Sequence, residues 1–142
     1  MKSIFQIVGL ALVLVLGGSL PAAGLDGFVL IANKSVPETT LSAAALRDIY
    51  TGKVTYWDDG QSVVIIVLAD KAGNAALNEA SGMDASQFKT FWQRMLFSGR
   101  GQQPRKADNA ASLVAQVAAA KGAIALAPAN ADLKDVTILK VK

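Results

Sequence analysis

Three short runs with no polar face constrain this chain most: Phe28–Ala32 (FVLIA), Val63–Leu68 (VVIIVL) and Ala123–Ala127 (AIALA). None has helical period, and the run 63–68 is rich in β-branched residues, so each reads as a strand buried on both faces. Such strands need helices above and below them, and the intervening stretches supply candidates. Leu41, Ala45, Leu46, Ile49 and Tyr50 fall at helical spacing, which predicts an amphipathic helix over 41–50. Gly52 is placed to stop it, Tyr56 and Trp57 form an aromatic plug, and Asp59-Gly60 is a turn signal before the next strand. Residues 69–74 read as a polar loop opening into a helical stretch over 75–80.

Asp84 with Gln87 has the spacing of a capping box. The helix that it starts carries Phe88, Phe91, Trp92 and Met95 on one face, with Leu96 beside them, an aromatic stripe that belongs to a core. Residues 98–106 (SGRGQQPRK) read as loop. Asp108 or Asn109 caps a further helix, whose Leu113, Val114 and Val117 face inward and which ends at Lys121-Gly122. Val136–Val141 alternates enough to be a fourth strand, half-exposed at an edge. This alternation predicts an α/β fold, a mainly parallel sheet with helices on both faces and right-handed crossovers.

The first 24 residues are read separately. Lys2, an apolar run from Ile4 to Leu16 broken by Gln6 and Gly9, and then GGSLPAAG follow the order of a secretory signal. Cleavage is expected after Gly24, with Ala23 as the alternative. The run is short of the roughly 20 apolar residues of a membrane span, although an uncleaved anchor is the other reading. The expected mature domain is 25–142, in the periplasm, with 13 basic and 11 acidic residues, a net charge of +2. Its only adjacent basic pair is Arg105-Lys106, too thin a patch for a nucleic-acid partner. The chain has neither Cys nor His, which removes disulfides, thiolate and imidazole metal sites, and the Ser-His-Asp and Cys-His nucleophile pairs. No catalytic constellation, metal or cofactor is expected, and the chain reads as non-enzymatic.

Taken in order, FVLIANKSV, LRDIYTGKVTYWDDG, VVIIV with its following loop, FWQRMLFSGRGQQP and KGAIAL resemble the periplasmic substrate-binding proteins of phosphate ABC transporters, in a short single-domain version. The most specific pieces are Ile49, Tyr50, Gly52, Lys53 and Trp57, and Phe97-Ser98-Gly99 with Pro104 and Gly122-Ala123-Ile124. The resemblance implies one lobe of a type II periplasmic-binding-protein-like fold and binding of phosphate or a similar oxyanion, for uptake or sensing. Its partner would be an ABC transporter permease or another periplasmic protein, with a homodimer as a way to rebuild the missing lobe. The full-length family carries an Arg-Ser-Asp-Gly-Ser-Gly-Thr-like turn where this chain reads Leu68-Ala69-Asp70-Lys71-Ala72-Gly73-Asn74. The arginine and the hydroxyl pair are gone, while Asp70 and Gly73 match.

In open α/β sheets ligands gather beyond the carboxyl ends of the strands, and helix N-termini favour anions. Two loops leave buried strands, so the expected ligand-binding set is Asn33, Lys34, Ser35, Asp70, Lys71, Gly73 and Asn74. Ser35 and Asn74 would donate to the oxyanion, Lys71 would add charge, and Asp70 would accept from a protonated oxygen. Lys53 and Arg100 read as solvated charges. The alternative is a non-enzymatic interaction module that keeps the fold without a ligand cleft.

Overall fold

The computed structural model describes Leu25 and residues 27–142. The expected signal segment, residues 1–24, lies outside the described residues. The elements in order are β1 (Phe28–Ala32), β2 (Thr40–Leu41), α1 (Ala43–Tyr50), β3 (Val64–Leu68), α2 (Lys71–Ser81), α3 (Ala85–Phe97), β4 (Arg105–Ala107), α4 (Ala110–Ala119), β5 (Ala123–Pro128) and β6 (Thr137–Val141). They build one six-stranded sheet in the order β2-β6-β1-β5-β3-β4. Strand β1 is antiparallel to both neighbours, β5 and β6, whereas β3 runs parallel to β5 and β4, and β2 parallel to β6. Five strands therefore point one way and β1 alone points the other.

The period of two divides the sheet into two faces. Leu30, Ile65, Ile124, Leu126 and Leu139 join the core beneath α1, α2 and α3, which contribute Leu46, Ile49, Leu77, Phe88 and Trp92. Ile31, Ile66 and Leu68 face the other way, toward Leu113, Val114 and Val117 of α4. On that side β5 presents Ala123, Ala125 and Ala127, small residues that let the helix lie close to the sheet. Helices thus cover both faces of a mainly parallel sheet, as the sequence predicts.

Several boundaries differ from the sequence reading. Helix α1 begins at Ala43, where Ser42 Oγ accepts from the Ala45 amide at 2.9 Å. Leu41 instead joins Thr40 in β2, a two-residue strand beside β6 that takes the sheet edge from it. Of the aromatic pair only Trp57 is buried, its indole Nε1 donating to Gly122 O at 2.9 Å, while Tyr56 is exposed. Gly122 has a φ of +78°, and a Cβ there would lie 2.1 Å from Ser62 O, so the turn entering β5 requires glycine twice over. The capping box forms as read: Asp84 Oδ1 accepts from Gln87 N at 2.8 Å and Gln87 Oε1 from Asp84 N at 2.9 Å. Asn109 is the cap of α4.

The largest correction concerns residues 71–74, which are the first turn of α2 rather than a loop. Asp70 is its N-cap, its Oδ1 accepting from Gly73 N at 2.6 Å. Gly73 is buried so tightly that a Cβ would meet Leu68 O at 2.2 Å. The glycine serves close approach of helix to strand, not a flexible turn.

Candidate functional site

The direction of β1 decides where the two expected ligand loops go. Ala32 pairs with Ile124 and Val64 with Ala123, so the end of β1 is level with the beginnings of β5 and β3. Asn33, Lys34 and Ser35 therefore lie at one end of the sheet, and Asp70–Asn74 at the other, about 15 Å away, the length of a five-residue strand. The structure does not bring the two loops into one hollow.

At the first end the polar groups are engaged in the fold. Asn33 is buried, and its Nδ2 donates to Val117 O at 2.8 Å and to Ala118 O at 2.9 Å, while its Oδ1 accepts from Ser35 N at 2.9 Å. Those carbonyls are among the orphan acceptors of the last turn of α4, so Asn33 caps the helix from outside. Ser35 Oγ accepts from Gly122 N at 3.1 Å, and Ser35 O accepts from Gln61 Nε2 at 2.8 Å. Lys34 is exposed.

At the second end, beyond β3, a hollow of about 400 Å³ opens between α2, α3 and the segment leading into β4. Its floor is apolar: Val67, Leu77, Phe88, Trp92 and Pro104. Polar groups stand around it: Asn74 from the first turn of α2, Ser86 and Lys89 from α3, and Gln103 and Lys106 from the chain around β4. The parallel pairing of β3 with β4 sets Lys106 opposite Val67. Among the described residues no carboxylate lines this hollow, and neither lysine forms an ion pair; the pair present, Lys134–Asp132, lies elsewhere.

The start of α2 borders the same hollow. Gly73 N is taken by the cap and Asn74 N by Asp70 O, so helical geometry leaves the amides of Lys71 and Ala72 without an intrahelical acceptor. Ala69 and Asn74, which flank them in sequence, both line the cavity. A second hollow of about 460 Å³ lies on the other side of Trp92, lined in part by Ile49, Tyr56, Ile65 and Arg100. Trp92 is the wall shared by both.

The perturbed titratable groups lie outside these hollows. Burial pushes the Tyr50 phenol well above its ordinary value, and its hydroxyl has no partner among the described residues. Burial also raises the Glu38 carboxyl, helped by a hydrogen bond with Asp58 and the charges of Asp58 and Asp59. Asp59 is held low by hydrogen bonds from the Gln61 backbone and side chain. Among the described residues no three carboxylates stand close enough together to hold a metal ion.

The sequence of a family described as a PBP superfamily domain matches residues 22–141. The chain belongs to this family. Solved structures of similar fold come from phosphate-related proteins. One, from Clostridium perfringens, is assigned as a phosphate ABC transporter substrate-binding protein and was solved with phosphate bound; it is 24% identical, with a TM-score of 0.62, over 81% of this chain and 44% of that one. An ABC-type phosphate transport receptor of Vibrio cholerae is 16% identical, TM-score 0.55, over 81% and 46%. A phosphate binding protein of Stenotrophomonas maltophilia is 18% identical, TM-score 0.52, over 82% and 39%. No curated protein matches the chain. This PBP superfamily domain thus spans less than half the length of the solved structures it resembles.

Of the residues that line the hollow in this PBP superfamily domain, the sequence reading named Asn74 as a ligand candidate and did not name Lys89, Gln103, Lys106 or Trp92 as one. Lys106 was visible only as half of the Arg105-Lys106 pair. Nothing in the spacing of Lys89 distinguishes it from a solvated helix residue.

Proposed function

We propose that this chain is an exported solute-binding domain that takes a phosphate-like oxyanion at the entrance of α2. The observation that carries the reading is a hollow lined by Asn74 and by two lysines with no carboxylate partner, with the start of α2 beside it. Helix dipole, amide donors and ammonium groups all favour a negative ligand there. Of the expected set, Asp70, Lys71, Gly73 and Asn74 belong to this reading, with Asp70 and Gly73 shaping the turn. Asn33, Lys34 and Ser35 fall outside it, because they stand at the opposite end of the sheet. The signal-like segment 1–24 supports export to the periplasm and a mature domain over 25–142, working with an ABC transporter permease or a sensory partner.

Calorimetric titration of the mature chain with phosphate and with sulfate tests this. Binding is expected, weakened about tenfold by Asn74→Ala and unchanged by Ser35→Ala. Absence of heat up to millimolar anion would refute the reading. It would favour an interaction module instead, for which the exposed side chains of Tyr56 and Phe97 (62% and 86% exposed) are the supporting observation.

A further inference from the structure

A bare tetrahedral oxyanion does not fill the hollow beyond β3. Its volume, about 400 Å³, falls in the range of roughly 300–1,000 Å³ typical of sites for organic small molecules. One phosphorus with its oxygens would occupy a small part of it and leave the remainder to water. The donors in the lining, Asn74, Ser86, Lys89, Gln103 and Lys106, leave the apolar residues without a polar partner for such an ion. Val67, Leu77, Phe88 and Pro104 are apolar, and the indole Nε1 of Trp92 is committed to Tyr50 O at 3.2 Å. The cationic groups, Lys89 and Lys106, belong to separate elements, α3 and β4, around that floor.

We propose that the ligand of this hollow is an organic anion, a phosphonate or phosphate monoester with a compact aromatic or aliphatic body. The charged group meets Lys89, Lys106 and the α2 entrance, and the body lies on Phe88, Leu77 and the edge of Trp92. This rests on the oxyanion reading above and adds the chemical class. Charge complementarity favours an anionic over a cationic ligand, because the lining includes two lysines without an ion-pair partner and no carboxylate. The apolar floor gives the body a surface that water holds only weakly. Polar placement at the edge and apolar contact at the base is the usual division of labour between specificity and affinity in small-molecule sites.

The test titrates the mature chain with phenylphosphonate, inorganic phosphate and benzyl alcohol, measured by calorimetry. Phenylphosphonate is expected to bind at least about tenfold more tightly than phosphate, a difference of about 1.4 kcal/mol, and benzyl alcohol to bind more weakly than phenylphosphonate. Ala85→Leu, which fills the hollow from the start of α3, should weaken phenylphosphonate and leave phosphate unchanged; a thermal melt confirms that this variant is folded. Equal affinity for phenylphosphonate and phosphate, both unaffected by Ala85→Leu, would overturn the organic ligand while keeping the oxyanion site. Binding of neither anion would overturn both readings. Benzyl alcohol binding as tightly as phenylphosphonate would show that charge plays no part and would overturn the proposal.

Discussion

Asn33 looks like a ligand residue and acts as a clamp. It follows a buried strand, it is polar, and its neighbours Lys34 and Ser35 complete an apparent anion loop. Its amide instead joins three backbone groups: two carbonyls of α4 and the Ser35 amide. Removing it leaves buried polar groups without partners, each costing about 1–3 kcal/mol when desolvated, although not additively. Asn33→Ala is therefore expected to lose about 2–3 kcal/mol in a urea denaturation series, with anion affinity of the folded chain unchanged. Asn33→Asp should fare no better, because a carboxylate cannot donate to the Val117 and Ala118 carbonyls and sets a charge against them. A stable Asn33→Ala variant that had lost anion affinity would reverse this assignment.

At the scale of elements, what the sequence made legible follows from how much of each element is buried. β1, β3 and β5 are visible because a strand covered on both sides has no polar face to interrupt it. β2 and β4 have two and three residues at the sheet edges, and Arg105-Lys106 in β4 is exposed, so neither leaves a periodic trace. The start of α2 misled for a different reason. Asp, Gly and Asn are turn formers, but here Asp70 caps a helix and Gly73 permits contact with Leu68. Strand direction has no sequence signal at all, which is why Asn33 and Asp70 could be read as neighbours. The candidate site was legible only at Asn74, since Lys89 and Lys106 meet it through α3 packing and the β3–β4 pairing. The cap makes a separable prediction. Asn caps as well as Asp, so Asp70→Asn should keep stability within about 0.5 kcal/mol while removing a negative charge near the oxyanion. Phosphate affinity is then expected to rise about two- to fivefold, and Asp70→Ala should instead lose about 1 kcal/mol of stability. A fall in affinity for Asp70→Asn, with stability kept, would mean that the carboxylate contacts a protonated ligand directly.

For the whole molecule, the question is whether one lobe suffices. The sheet is continuous from β2 to β4, and both apolar clusters share its central strands, so unfolding should be a single cooperative transition. A ligand that binds only the folded chain stabilises it by about 2.7 kcal/mol at 100 times its dissociation constant, a rise of about 10 °C in melting temperature at this size. That rise is expected with the favoured anion at any protein concentration, and it should fall to about half in Asn74→Ala, whose affinity is about tenfold lower. Twofold symmetry would alter the pattern: if a second copy supplies the other wall, the ligand-induced rise must grow as the chain is concentrated, because assembly and binding then stabilise the same state. Melting curves at micromolar and at tenfold higher chain concentration, each with and without phosphate, separate the two. A concentration-independent shift assigns the whole anion site to residues of one chain. A concentration-dependent shift makes the homodimer the binding unit, and the exposed Tyr56 and Phe97 then become the first positions to substitute in search of its interface.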